Sequence, residues 1–245
     1  MSEKKRSPLG WHPDETDFLI KHNVVNAQHP LDAIVCVKER WIKNTLREVF
    51  LTPNGYVVKR YSHFPGRKDY RKVWVREHSA LTKLSGRYTP ESFGFVRAVH
   101  NSGAISILHL RTLLEGDQVQ WNQPDDMAKL AQLLSGFHKQ MVVTLDPQQE
   151  NFIRLHQPSG ELGFIDMGRA RTFTGVSLLM LVNVGKELAR LQTEGGLPQQ
   201  QFKQFLKHYR KESNFTSTQQ DIIKFSMTYW LNRHARKLRK QKSKR

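Results

Sequence analysis

The apolar positions of the chain change rhythm about halfway along. From residue 24 to about 110 they fall mainly in short, β-branched runs. Ala33-Ile34-Val35-Cys36-Val37 is one such run and Glu48-Val49-Phe50-Leu51 is another. The second leads through Thr52-Pro53-Asn54-Gly55 into Tyr56-Val57-Val58-Lys59-Arg60-Tyr61. An Asn-Gly pair between two apolar runs predicts a hairpin. Ile105-Ser106-Ile107-Leu108-His109-Leu110 predicts a further strand. One helix interrupts this half: over residues 70–84, Val73, Trp74, Glu77, Leu81 and Leu84 recur at three- and four-residue spacing and share a face.

After residue 110 the spacing becomes helical. Residues 125–141 carry Met127, Leu130, Leu133, Leu134, Phe137 and Met141 on one stripe. Further helices are predicted over 176–191, 199–211 and 217 to about 236, the last opened by Ser217 and Gln220 at capping-box spacing. A hairpin is predicted between the helices over 125–141 and 176–191, with residues 151–155 and 162–165 joined by Gln157-Pro158-Ser159-Gly160. Residues 1–23, punctuated by Pro8, Gly10 and Pro13, are expected to form a loose arm. The expected architecture is α+β and two-lobed. It has a strand-rich N-lobe over 24–112, a helical C-lobe over 113–231 and a basic tail over 232–245.

Composition narrows the class. With 38% hydrophobic residues in 245, including 13 Phe, the chain can build a core, which excludes global disorder. One cysteine, Cys36, excludes a disulfide framework and a multi-cysteine zinc site. No run approaches the roughly 18–20 apolar residues of a membrane span. No apolar stretch follows the basic N-terminus, so a secretory signal is not expected and the location expected is the cytoplasm.

The net charge of +17 implies anionic partners. Residues 232–245 hold eight Lys and Arg and no acid, and the remaining body is still basic. Such a tail is either a solvated helix end or a docking element for an anionic membrane surface, each basic residue near acidic lipid contributing about 1 kcal/mol. Nucleic acid is not an expected partner, because charge alone points to it and no recognition motif does.

Four polar features occur in a particular order. Lys59 ends an apolar strand run. Glu77 lies 18 residues later on the predicted helix, and Asp146 and Asn151 stand five apart in Leu145-Asp146-Pro147-Gln148-Gln149-Glu150-Asn151-Phe152. Asp166 follows 15 residues beyond, in Phe164-Ile165-Asp166-Met167-Gly168. This is the order of strand lysine, helix glutamate, D-x-x-x-x-N and D-x-G found in protein-kinase-like phosphotransferases. Each residue type has a task there. Lys59 would pair with nucleotide phosphates and Glu77 would hold its ammonium in place. Asn151 and Asp166 would supply hard oxygen ligands to Mg²⁺. Asp146 would take or orient the proton of an acceptor hydroxyl. Gly168 would permit a tight turn after Asp166. Asp166 should also emerge from a buried strand, since apolar Gly163-Phe164-Ile165 precedes it.

The chain resembles the bacterial lipopolysaccharide core kinase family, which phosphorylates heptose or Kdo sugars. The residues that carry the resemblance are Val57 to Tyr61, Trp74-Val75-Arg76-Glu77-His78-Ser79-Ala80-Leu81, Leu134-Ser135-Gly136-Phe137-His138, Asp146 to Phe152, and Phe164 to Arg171. The resemblance covers about residues 45–190. It implies a protein-kinase-like fold, ATP and Mg²⁺ as cofactors, and an anionic glycolipid or phosphorylated sugar as acceptor. It also implies a place at the cytoplasmic face of the inner membrane.

Departures from protein kinases shape the expectation. No glycine-rich loop is present, and the turn before Lys59 offers only Pro53-Asn54-Gly55. Thr144 and Leu145 stand where protein kinases have His and Arg before the catalytic aspartate. About ten residues separate Asp166 from the next predicted helix, too few for a peptide-docking platform. A small-molecule or glycan acceptor is therefore favoured over a protein. Arg169 and Arg171 either bind an acceptor that already carries phosphate or offset Asp166 and Glu161. His138 reads as a structural histidine bonding loop backbone. Gly185-Lys186 lacks the partner glycine of a phosphate-binding loop. The alternatives are a kinase-like fold acting on another small molecule or a protein, and a non-catalytic pseudokinase or basic binding module.

Overall fold

The computed structural model describes residues 9–66, 71–86, 88–157 and 160–242. Residues 1–8 of the expected arm, the expected helix start at Tyr70, Pro158 and Ser159 of the expected turn, and residues 243–245 of the tail lie outside them. The chain forms two compact units, Met1–Trp74 with Glu91–Leu113, and Val75–Pro90 with Leu114–Arg245.

The first unit is built on five antiparallel strands: β1 (Val35–Ile42), β2 (Thr45–Leu51), β3 (Tyr56–His63), β4 (Ser92–Val99) and β5 (Ile105–Thr112), in the order β1-β2-β3-β5-β4. The Asn54-Gly55 turn joins β2 to β3 as its sequence predicts, with Gly55 at φ 79°, where only glycine is unstrained. β3 lies at the centre of the sheet and is buried from Val57 to His63. Alternation puts Val58 and Arg60 on one face and Lys59 and Tyr61 on the other. On the first face Leu19, Val24, Phe50, Val58, Leu108 and Leu110 form a core, and on the second Tyr61, Trp74 and Ile107 form a smaller one.

The expected loose arm is corrected by helix α1 (Pro13–Lys21). Pro13 opens it, His12 Nδ1 accepts the Asp14 N–H at 3.2 Å, and the His12 N–H donates to Glu15 at 2.9 Å. A histidine thus fills the capping position usually held by Ser, Thr, Asp or Asn. The helix is then anchored to the sheet by a buried pair. Arg60 donates to Glu15 through Nε at 2.9 Å and Nη2 at 2.8 Å, and to the carbonyls of Leu9 and Gly10 at 3.0 and 2.7 Å. Both side chains are almost fully excluded from solvent, at 1% and 0% exposure. Removing one partner of such a pair strands a charge. Glu15→Ala is therefore expected to cost about 3–5 kcal/mol, read as a lower midpoint of urea unfolding. An unchanged midpoint would show that water replaces the carboxylate.

Helix α2 (Val73–Leu84) begins in the first unit and runs into the second. The second unit also holds β6 (Gly116–Gln118), α3 (Asp126–Lys139), β7 (Val142–Val143), β8 (Phe152–Leu155), β9 (Leu162–Phe164), β10 (Arg171–Thr172), α4 (Leu178–Glu194), α5 (Gln199–Glu212) and α6 (Ser217–Lys242). Its core interleaves Leu130, Leu134 and Phe137 of α3 with Phe152 and Phe164 of the β8–β9 hairpin. Met180, Val184 and Leu188 of α4 and Phe202, Phe205 and Tyr209 of α5 complete it.

α6 continues through the expected tail to Lys242, and its cap is Thr216 with Gln219, one residue earlier than the expected Ser217 and Gln220. α4 and α6 pack closely because Gly185 has no side chain. A Cβ there would stand 2.5 Å from the Ile223 carbonyl oxygen and 2.6 Å from Ser226 Cβ. This close approach is the role of the glycine in Gly185-Lys186. Among the described residues no helix is long and apolar enough to cross a membrane.

Candidate active site

The loop after β7 carries the candidate base. β7 pairs with β10, Val143 opposite Arg171 and Val142 opposite Thr172. Thr144-Leu145-Asp146 is thereby held beside the segment 166–171. Leu145 adopts φ 58°, a left-handed conformation that costs a side-chain-bearing residue roughly 1–2 kcal/mol. Two groups on α4 hold it there. The Leu145 N–H donates to Glu187 Oε1 at 2.9 Å, and its carbonyl accepts from Arg190 Nη1.

Asp146 sits beyond that bend with its side chain 13% exposed, and its Oδ1 accepts from Arg190 Nη2 at 3.0 Å and from Arg169 Nη1 at 3.2 Å. Asn151 is buried, and its Nδ2 donates to the Asp146 carbonyl at 2.8 Å. The amide oxygen of Asn151 is thus the atom left as a hard ligand. The Ile165 N–H donates to the Asn151 carbonyl at 3.0 Å, tying Asn151 to the residue before Asp166. Asp166 follows the fully buried strand β9, and its Oδ1 accepts the Gly168 N–H at 3.0 Å.

Asp146, Asn151, Asp166 and Arg169 are therefore brought together within the second unit. Lys59 stands in the first unit, at 8% exposure on β3, with Val49 and His109 as its strand partners. Glu77 is fully buried on α2 in the second unit. Arg171 is exposed on β10.

Electrostatics distinguishes these groups. Burial pushes the Asp146 carboxyl above its ordinary range, and the charges of Asp166 and Glu194 push the same way, against Arg169 and Arg190. Glu187 goes the other way. Burial would raise it, but hydrogen bonds from His138, Thr144 and Leu145 hold it below the usual range. His138 Nε2 meets Glu187 Oε2 at 2.6 Å, and its Nδ1 meets the Tyr209 hydroxyl at 2.6 Å. Thr144 donates to Glu187 through its N–H at 2.6 Å and through its hydroxyl. The expected contact of His138 with loop backbone thus runs through Glu187.

Sequence reasoning missed Glu187, Arg190, Glu194 and Tyr209. The signal available was Glu187, a carboxylate inside the apolar stripe Met180, Val184, Leu188 and Leu191. A charge at such a position demands partners.

The metal ligands expected from the sequence suit magnesium chemically. Asp166 offers a carboxylate and Asn151 an amide oxygen, a sparse oxygen set of the kind Mg²⁺ uses when phosphates and water complete its shell. Among the described residues no group of three or more His, Cys, Asp and Glu side chains is arranged to hold a metal by itself.

No protein-family model and no curated protein sequence matches the chain. A solved structure described as WaaP in complex with acyl carrier protein does match. The TM-score is 0.52 at 18% identity, over 82% of this chain and 88% of that one. The protein has a protein-kinase-like fold. The α+β layout expected from sequence, a strand-rich sheet unit followed by a helical unit, is the one observed. The first hairpin of the sheet turns at Lys43-Asn44, with Lys43 at φ 57° and no glycine.

Proposed function

We propose that this protein is an ATP-dependent phosphotransferase whose acceptor is a hydroxyl of a lipopolysaccharide core sugar, heptose or Kdo. The observation that carries the reading is the cluster of Asp146, Asn151 and Asp166, tied together by the Asn151 side chain and the Asn151–Ile165 backbone bond. In this reading Lys59 binds the nucleotide phosphates and Glu77 orients it. Mg²⁺, when bound by Asn151 and Asp166, neutralises charge on the transferring phosphoryl group.

Asp146 accepts the proton of the attacking hydroxyl. The acceptor oxygen forms a bond to the γ-phosphorus as the bond from that phosphorus to the bridging oxygen breaks, leaving ADP. Arg190 holds the Asp146 carboxylate through one oxygen, so the other oxygen can face the acceptor. Arg169 shares that oxygen with Arg190 and, with Arg171, supplies positive charge where the acceptor must lie. The basic C-terminal residues fit the cytoplasmic face of an anionic inner membrane, where such an acceptor is anchored.

The test is mass spectrometry of purified heptose- and Kdo-bearing core oligosaccharides incubated with the protein, ATP and Mg²⁺, with EDTA as control. The expected result is a gain of one phosphoryl group that EDTA abolishes. No gain on either type of core overturns the reading of the acceptor.

A further inference from the structure

Beyond the reacting cluster, α4 and α6 part into a groove of about 780 Å³. Up to Ser226 the two helices are in close apolar contact, with the Ser226 hydroxyl donating to the Val182 carbonyl at 2.8 Å. Past that point the face of α6 that meets α4 changes character. Trp230, Arg233, His234, Lys237 and Gln241 line the groove at helical spacing, opposite Lys186 and Arg190. The Trp230 ring is its centre, with Lys186 Nζ 4.4 Å and the Arg233 guanidinium 4.9 Å from the ring centroid.

The groove shares Arg190 with the cluster around Asp146. Arg190 and Glu194 belong to its wall, and Arg190 is also hydrogen-bonded to Asp146 at 3.0 Å. Glu194 does not neutralise the wall for a ligand, because Arg190 already engages it through Nε at 3.1 Å and through Nη2 at 2.5 Å. The remaining cations reinforce one another. Burial and then the charges of Arg190, Arg171, Arg233 and Arg169 lower the proton affinity of Lys186. A concave site lined by Lys186, Arg233, Lys237 and Lys240, with the first two cations held over the Trp230 ring, selects a strongly anionic ligand. An anion bound there relieves the repulsion among these cations.

We propose that the α4–α6 groove binds phosphate groups already carried by the acceptor, and so places a neighbouring sugar hydroxyl at Asp146. This deepens the phosphotransferase reading and rests on it. The substrate class becomes a glycan phosphorylated before this enzyme acts, so another phosphorylation must precede it. Lys186, Arg233 and Lys237 are the specificity-determining residues. The span from Trp230 to Lys240 is about 15 Å along the helix, long enough to hold a phosphorylated sugar next to the reacting one.

The experiment uses the full chain and measures binding by calorimetry without ATP, so turnover is not needed. The probes are phosphorylated inner-core oligosaccharide, the same material dephosphorylated with aqueous hydrogen fluoride, and phosphatidylglycerol vesicles. The wild type is expected to bind the phosphorylated oligosaccharide at least about tenfold more tightly than the dephosphorylated one. Arg233→Glu/Lys237→Glu should lose that preference while its ATP affinity is unchanged. Lys237→Ala, at an exposed position, should show a smaller loss in the same direction and serves if charge reversal disturbs α6.

Equal binding of the two oligosaccharides by the wild type, or equal preference in wild type and variants, overturns the proposal. So does a variant defect confined to vesicles, which would assign the groove to the membrane surface. Phosphate-dependent binding without phosphoryl transfer would sink the reaction and leave the groove standing. Transfer with an unchanged acceptor KM in the variants would do the reverse.

Discussion

Asp146→Asn is expected to lower phosphoryl transfer by about 10²–10⁴-fold while leaving ATP affinity unchanged. The substitution keeps the shape of the side chain and removes the group proposed to take the proton. Burial is the main reason the Asp146 carboxyl lies above the ordinary range, with Asp166 and Glu194 adding to it and Arg169 and Arg190 opposing. The ionised form is the reactive one. Transfer by the wild type should therefore fall as pH drops through that raised value, giving an acid limb above the usual aspartate range. The stability consequence has the opposite sign. A carboxyl whose folded value is raised costs stability when ionised, and the cost vanishes as pH falls through the raised value. Asp146→Asn should accordingly melt at or above the wild-type temperature at neutral pH. Wild-type turnover in this variant would remove Asp146 from the reaction. Melting several degrees lower would show that the ion pair with Arg190 outweighs the burial cost.

The combination of an unfavourable ionised carboxylate and a left-handed Leu145 has a structural meaning. Both are costs concentrated in one loop, and both are met by α4, through Arg190 and Glu187. The loop is not rigid by its own sequence. It is held by a helix whose relevant residues are more than forty positions away in sequence.

That distance explains what the sequence made legible. Asp146, Asn151 and Asp166 could be read because their relation is carried by short loops and one hairpin, where spacing translates directly into geometry. The Asn54-Gly55 hairpin and the stripes of α3 and α5 were equally plain for the same local reason. β4 was not, since Gly94 at φ 101° interrupts it with a bulge and most of its residues stay partly or fully exposed. The second half of β1, Lys38-Glu39-Arg40-Trp41-Ile42, is almost wholly exposed on a sheet edge and shows no alternation. α1 was obscured by Pro8, Gly10 and Pro13, although Pro13 followed by two acids is a helix start. Glu187 and Arg190 act only across the fold, so no local pattern announces their partners.

Glu187 offers the sharpest test of this support. Its Oε1 accepts from the Thr144 N–H, the Thr144 hydroxyl and the Leu145 N–H, while its Oε2 meets His138 Nε2. Glu187→Ala removes all four contacts and strands three buried donors. It is expected to cost about 3–5 kcal/mol and to lower kcat by about 10²-fold, the effect of displacing a reacting group by roughly 1 Å. Glu187→Gln separates charge from geometry. Its amide oxygen can keep the three loop bonds, and its NH₂ can donate to His138 Nε2 if His138 carries its proton on Nδ1 and donates to Tyr209. This variant should stay folded, retain most of kcat and leave the KM for ATP unchanged. The two should also differ from wild type in pH response. The folded carboxyl of Glu187 is held below its ordinary value, chiefly by His138 against the burial that would raise it. Its contribution to stability is present above the ordinary glutamate value and lost as pH falls through the lowered one. Glu187→Gln should therefore show a shallower loss of stability on acidification, measured by urea unfolding across the acid range. An acid limb as steep as that of the wild type would mean that another carboxylate governs it. A Glu187→Ala variant with full kcat would mean that Arg190 alone positions Asp146.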